Sequence, residues 1–272
     1  MSDDTDDAAP ISETLARLLE RARTIEARRK LLPCYPFGED WAAGADACEA
    51  VEAFKGCEFA HLPETCHRER DKALWNQVDD RLKLGRVPAD FIAPILASVP
   101  GRRINGKRVP PERLRDNDAL VIMRAFLART ATSSAIVQLA GTERILVLAS
   151  DVRRGKSFAA AYAVAREGGL WVGAPELAEV DSPLYDPARN APLLVIDDVG
   201  EEHAGNSGFG PGQIARVLCE RYGRLLRTIC TTNLMRRRSS PTDAPQFVER
   251  YGARVDGRLS EHGKFLALTT GP

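Results

Sequence analysis

The stretch ILVLASDVRRGKSFAAAYAVA, residues 145–165, decides the fold. Residues 145–149 form an apolar run of strand length with no polar alternation, the pattern of a strand buried on both faces. A short polar loop follows, and from Gly155 to Gly168 alanines recur on nearly every turn of a helical segment. Strand, tight loop and helix in that order aim backbone N–H groups and a helix N-terminus at one point, where an anion is stabilised. Gly155, Lys156 and Ser157 make the second half of a G-x-x-x-x-G-K-[ST] phosphate loop. In such a loop the lysine reaches the β- and γ-phosphates and the hydroxyl ligates Mg²⁺. Ser150 stands in place of the first glycine, and Arg153 and Arg154 occupy positions that usually hold small residues. A serine still permits the tight turn, so the match is weakened and not lost.

Outward from this stretch, strands and helices alternate. DALVIMRAFLAR (118–129) reads as a helix, LWVGA (170–174) as a short strand and PLLVIDDVG (192–200) as a buried one. PGQIARVLCERYGRLL (211–226) is a helix, RTICTTN (227–233) a strand, APQFVERYGARVDGRLS (244–260) a helix pair and FLALTT (265–270) a closing strand. Buried strands alternating with helices predict an α/β domain, a parallel sheet covered on both faces in three layers. Cys219 and Cys230 fall on core positions of a helix and a strand.

The strand LLVIDDVGEE (193–202) ends in two acids, 41 residues after Lys156. Nucleotide hydrolysis needs one carboxylate for the Mg²⁺ shell and a neighbour to orient and deprotonate water. Asp197 suits the first role and Asp198 the second. Asn233 leaves the end of TICTTN (228–233), where a γ-phosphate or lytic water would be sensed. Arg254 and Arg258 stand four apart on one helix face, where arginines can reach a neighbouring subunit's nucleotide.

In this order, RILVLASDVRRGKSFAAA, LLVIDDVGEE, TICTTN and YGARVDGRL resemble the AAA+ ATPases of the DnaC/DnaI helicase-loader and IstB transposition-helper group. The resemblance covers about residues 115–270. It implies a P-loop NTPase fold, with Lys156 and Ser157 as Walker A, Asp197 and Asp198 as Walker B, Asn233 as sensor I, and Arg258, with Arg254 one turn earlier, on the arginine helix. It also implies ATP and Mg²⁺ as ligands, a homo-oligomer, and delivery of a hexameric replicative helicase to single-stranded DNA. Two departures stand out. Asp198 replaces the glutamate of many relatives, which implies slow hydrolysis or a switch-like use of ATP. Only about 175–191 separate LWVGA from the acidic strand, where loaders carry longer DNA-contacting helices. Arg236, Arg237 and Arg238, with Arg153 and Arg154, are the basic residues left to meet DNA phosphates. An IstB-like helper on duplex DNA and an adaptor that keeps the fold without hydrolysis are the alternative readings.

The front of the chain differs in kind. Residues 1–32 combine an acidic start, MSDDTDDAAP, with an amphipathic helix that has Ser12 as N-cap and Leu15, Leu18, Leu19 and Ile25 on one face. Residues 33–86 hold four of the six cysteines. Cys34, Cys48, Cys57 and Cys66, with His61 and His67 as alternates, form a candidate tetrahedral zinc set of irregular spacing. Residues 87–114 read as a connector, and 115–272 as the ATPase domain. The 272 residues are 44% hydrophobic and 28% charged, which excludes a wholly disordered chain, a collagen repeat and a coiled coil. No apolar run approaches the ~20 residues of a membrane helix. The opening aspartates replace the cationic region of a secretory signal, so a cytoplasmic protein with reduced thiols is expected. Thirty-eight lysines and arginines balance 38 aspartates and glutamates, so any nucleic-acid contact must come from a local patch.

Overall fold

The computed structural model describes residues 63–272, apart from 100–101, 106, 110–111, 113, 116, 130–131, 134–137, 204–208, 241–245 and 269–272. The chain separates into two compact units, Met1–Arg70 and Asp71–Pro272. The expected amphipathic helix over 11–32 and most of the cysteine-rich segment lie outside the described residues. Helix α1 (Pro63–Leu84) spans the division between the units. Everything that follows belongs to the second.

Strand β5 (Ile145–Ala149) is buried at every position and lies at the interior of a five-stranded parallel sheet. Its partners are β8 (Arg227–Thr232), pairing Ile145 with Thr228, and β9 (Gly263–Ala267), pairing Ile145 with Gly263. With β6 (Leu170–Gly173) and β7 (Leu193–Val199), the order across the sheet is β6-β7-β8-β5-β9. The chain leaves β5 through helix α4 (Lys156–Glu167) and crosses to the far edge at β6. It leaves the neighbouring β8 toward β9 on the opposite side. The carboxyl ends of β5 and β8 therefore flank a topological switch point, where sheets of this kind open a crevice.

Burial explains why the strands are readable from their composition. Leu146, Val147, Leu148, Leu194, Val195, Ile196, Ile229 and Cys230 are all fully buried. α4 is buried nearly all round, because Ala159, Ala160, Ala161, Ala163 and Ala165 let it approach both the sheet and helix α3 (Asp118–Ala128) closely. Asn117 caps α3 by accepting a hydrogen bond from the Leu120 N–H at 2.8 Å. On the other face, helix α7 (Phe209–Gly223) and the pair α8 (Phe247–Tyr251) and α9 (Ala253–His262) pack Ile214, Val217, Phe247, Val255 and Leu259 against the sheet.

Within the stretch read as a connector, the chain forms helix α2 (Ala89–Ser98) and a hairpin, β1 (Arg103–Ile104) with β2 (Lys107–Arg108). Pro88 and Pro94 read as breakers in the sequence. Pro88 precedes the helix and Pro94 sits on its exposed side, while Ile95, Leu96, Ala97 and Val99 are buried. Burial of those residues outweighs the one N–H that Pro94 cannot donate. A second short hairpin joins β3 (Thr132–Ser133) to β4 (Gln138–Leu139). The segment between β6 and β7 holds two short helices, α5 (Ala174–Leu177) and α6 (Tyr185–Asn190). No helix among the described residues is long and apolar enough to cross a membrane.

Candidate functional site

The loop from Ser150 to Gly155 turns around the Lys156 ammonium. Lys156 Nζ donates to the carbonyl oxygens of Ser150 (2.7 Å) and Asp151 (3.0 Å), to Ser150 Oγ (3.1 Å) and to Asn233 Oδ1 (3.0 Å). The side chain is buried, and desolvation lowers its pKa against the opposing pull of Asp198, Asp197 and Asp151. Ser150, in place of the first glycine, is itself buried and donates to the Asp151 carbonyl. Its backbone N–H reaches Thr232 O, which ties the loop to the end of β8.

Two residues of the loop adopt the left-handed region, Arg153 at φ 64° and Gly155 at φ 77°. A Cβ on Gly155 would lie 2.8 Å from Asn117 Nδ2, the residue that caps α3. Gly155→Ala therefore meets backbone strain and displaces a helix cap. The expected loss is about 2 kcal/mol of unfolding free energy, measured by urea titration. A variant as stable as the parent would show that the loop is not held in this way.

Across the crevice, β7 ends in a bulge. Ile196 pairs with Cys230 and Val199 with Thr232, so Asp197 and Asp198 together oppose the single residue Thr231. Thr231 serves both. Its hydroxyl donates to Asp197 Oδ1 at 2.5 Å and accepts the backbone N–H of Asp198 at 3.0 Å. Asp198 takes φ 55°, a conformation that aspartate tolerates better than most residues. The extra residue gives two consecutive acids different environments: Asp197 is half-buried and Asp198 exposed. Burial raises the Asp197 pKa, and Asp198 pushes the same way, against hydrogen bonds from Thr231 and Ser157. The Ser157 hydroxyl thus lies near enough to the Asp197 carboxylate to lower its pKa, across the gap between α4 and β7.

One open hollow of about 380 Å³ lies here, lined by residues 152–158, Asp198, Asn233 and Phe91, with Asp197 behind Ser157. Phe91, from α2, lies edge-on to Phe158 at 6.4 Å and against Trp171 at 5.7 Å. The hollow is therefore polar and cationic at the loop and aromatic at one wall. Oxygen donors from Ser157, Asp197 and Asp198 match the hard-ligand preference of Mg²⁺. Arg153 and Arg154 are exposed on its rim.

The remaining predicted residues lie elsewhere. Arg254 lines a separate groove of about 550 Å³ with Arg216, Glu220 and Tyr251, and Arg258 lies outside the Lys156 hollow. The Arg258 guanidinium stacks 4.4 Å over the Tyr222 ring and donates to Glu261 at 3.1 Å. Arg236 donates to Asp256 Oδ1 at 2.9 and 2.6 Å, Arg237 also pairs with Asp256, and Arg238 lies 4.0 Å from Glu249. The basic loop read as a phosphate contact is thus engaged with acids of the following helices. Cys34, Cys48, Cys57 and His61 lie outside the described residues, and Cys66 and His67 fall in α1 with their side chains outside them. Among the described residues, no cluster of three His, Cys, Asp or Glu is placed to hold a metal ion.

Sequence reasoning does not single out Thr231, Phe91 or Glu202. Glu202, 2% exposed, accepts from Gly200 N–H (2.8 Å), Arg250 Nε (2.7 Å) and Tyr251 OH (2.6 Å). The second acid of GEE, two residues beyond Gly200, is the one signal that points to it.

The parallel five-stranded sheet, with the Ser150–Gly155 loop between β5 and α4 and acids at the tip of β7, defines an α/β fold with its candidate site at the carboxyl ends of the strands. The chain is similar to the solved structures of the DnaC helicase loader, at 22% identity and a TM-score of 0.41 over 58% of this chain and 94% of that one, and of DnaI, at 20% and 0.40 over 58% and 88%. No family model matches the sequence, and no curated protein does.

Proposed function

We propose that the Lys156 hollow binds ATP with Mg²⁺ and that the chain works as an AAA+ ATPase of the helicase-loader kind. The supporting observation is convergence. Lys156, Ser157, Asp198 and Asn233, from three separate segments, line one hollow at the switch point of the sheet, and Asp197 lies beside it, near enough to Ser157 for that hydroxyl to lower its pKa. Lys156 would exchange loop carbonyls for β- and γ-phosphate oxygens, and Ser157 and Asp197 would hold the cation. Bound Mg²⁺ supplies neutralisation of the charge that develops on the phosphates. Asp198, exposed at the rim, would take a proton from the attacking water, with Asn233 orienting it. Phe91 offers an apolar face to the base. Arg258, outside its own hollow, would serve the nucleotide of a second copy after leaving Glu261 and Tyr222.

In that role the chain would assemble as a homo-oligomer, grip a hexameric replicative helicase and place it on single-stranded DNA. The short carboxylate of Asp198 and the engaged state of Arg258 favour slow turnover. An adaptor that binds ATP without hydrolysing it is the second reading these two features support.

The test is titration with a fluorescent ATP analogue, with and without Mg²⁺, alongside phosphate release. Binding is expected to need Mg²⁺ and to weaken roughly 10- to 100-fold in Asp197→Asn, the value of one or two charge-assisted contacts. Because burial raises the Asp197 pKa, protons compete with the cation earlier on acidification than at an ordinary carboxylate. The Mg²⁺ dependence should fade above the usual aspartate range. Binding indifferent to both Mg²⁺ and Asp197→Asn would defeat the nucleotide reading. Tight binding with no phosphate release would select the adaptor, and absence of a co-purifying helicase would remove the loader role.

A further inference from the structure

The whole chain is neutral, yet RRINGKRVPPERLR, residues 102–115, carries six cations against the single acid Glu112. No aspartate or glutamate occurs between Phe91 and Pro111. The structure folds the first half of this stretch into the β1–β2 hairpin, whose register sets Arg103 opposite Arg108 and Ile104 opposite Lys107. The dipeptide Asn-Gly separates the two strands in sequence, and Asn105 takes the left-handed φ of 50° that a two-residue turn requires. The base is fastened. Val109 N–H donates to Arg102 O at 3.0 Å, and Glu112 N–H to Ala97 O of α2 at 2.8 Å. Arg102 pairs with Glu112 at 3.0 Å, so the one local acid is already engaged at the base. Arg103, Ile104 and Lys107 are exposed, Ile104 at 47%.

This register gathers basic positions on one ribbon. It opposes two arginine positions, 103 and 108, across the ribbon, and like charges directly opposed repel. A polyanion removes that repulsion and gains from it. We infer that the β1–β2 hairpin is a sequence-independent docking element for the phosphate backbone of duplex DNA. A two-stranded ribbon is of the size the major groove admits, and arginine forks match phosphate oxygens. The hairpin has no aromatic residue on which an unpaired base could stack, which argues against a single strand as its ligand. Arg236 and Arg237, in the basic loop that reads from sequence as the phosphate contact, are paired with Asp256, whereas the one acid of 102–115, Glu112, is held by Arg102 at the hairpin base. The inference is independent of the Lys156 hollow.

The experiment is fluorescence anisotropy of the full chain with a mixed-sequence duplex of about 20 base pairs and with a single strand of equal length, from about 50 to 200 mM salt. The double variant Arg103→Gln, Lys107→Gln alters only exposed side chains, so it should fold and bind nucleotide as the parent does. Its duplex affinity should fall about tenfold at the lowest salt, and the slope of log K against log salt should lessen by about 2, one for each phosphate no longer neutralised. The charge-reversed pair Arg103→Glu, Lys107→Glu should abolish duplex binding. Unchanged affinity and slope in both variants would overturn the proposal. So would a parent chain that ignores duplex, or one that binds the single strand more tightly through the same two residues.

Discussion

Lys156→Ala is expected to weaken ATP binding by about 2–4 kcal/mol, roughly 30- to 1000-fold in Kd, while leaving the fold in place. The ammonium is the one cation at the centre of the loop, within 3.1 Å of four acceptors, one of which, Asn233 Oδ1, belongs to a residue lining the hollow. Arginine at the rim cannot replace it, since Arg153 and Arg154 are exposed while Lys156 is buried. The fold should tolerate the change because burial already disfavours the charged lysine. Removing it relieves that desolvation, and the Asp151 carbonyl, on an exposed residue, can turn to water. Calorimetric titration with ATP·Mg²⁺, paired with a thermal melt, separates the two effects. A variant that binds as the parent does, with the same melting temperature, would show that the hollow is not a phosphate site.

Arg221→Met should produce the largest loss of stability of any single substitution in the sheet domain. The Arg221 side chain has no solvent exposure, and its guanidinium is held by neutral oxygens. It donates to Thr228 Oγ1 (2.9 Å) and to the carbonyls of Ala188 (2.7 Å), Ala191 (2.8 Å) and Arg227 (2.5 Å). Desolvation pushes its pKa down to about 10, which still leaves the buried guanidinium charged at neutral pH. The same bonds fasten the end of α6 to the start of β8 and thereby position the segment between β6 and β7. Methionine fills comparable volume but takes the guanidinium donors from two buried carbonyls, of Ala188 and Arg227, and one half-buried carbonyl, of Ala191. The expected cost is about 3–5 kcal/mol, or about 10 °C in Tm for a domain of this size. Arg221→Lys should recover little, since one ammonium cannot span four acceptors set in a fork. A fall of less than about 2 °C in Arg221→Met would refute this account.

Most of the sheet is legible in the chain because it is parallel and buried. Strands such as Leu193–Ile196 and Ile145–Ala149 are uninterrupted apolar runs, and helices between them keep their own period. What escapes a linear reading is set by contacts distant in sequence. The bulge at Asp197 and Asp198 exists only in register with Thr231, a residue that looks like any strand threonine. Glu202 reads as one more loop acid until Arg250 and Tyr251 arrive. The arginines at 236–238 read as a free basic loop because Asp256, which captures two of them, lies 20 residues beyond Arg236. Helix α2 is hidden by two prolines whose local message is opposite to the tertiary outcome. With it goes Phe91, the aromatic wall of the hollow.

The buried carboxylate of Glu202 has a mechanical consequence. One oxygen holds the Gly200 amide beyond the acidic strand tip, and the other holds Arg250 and Tyr251 on α8, which runs through Gly252 directly into the helix bearing Arg254 and Arg258. A tie this short has no slack. If the peptide after Asp198 shifts by an ångström, either α8 travels with it or a buried bond to Glu202 must give way on one side or the other, so the acidic rim and the arginine-bearing rod are coupled.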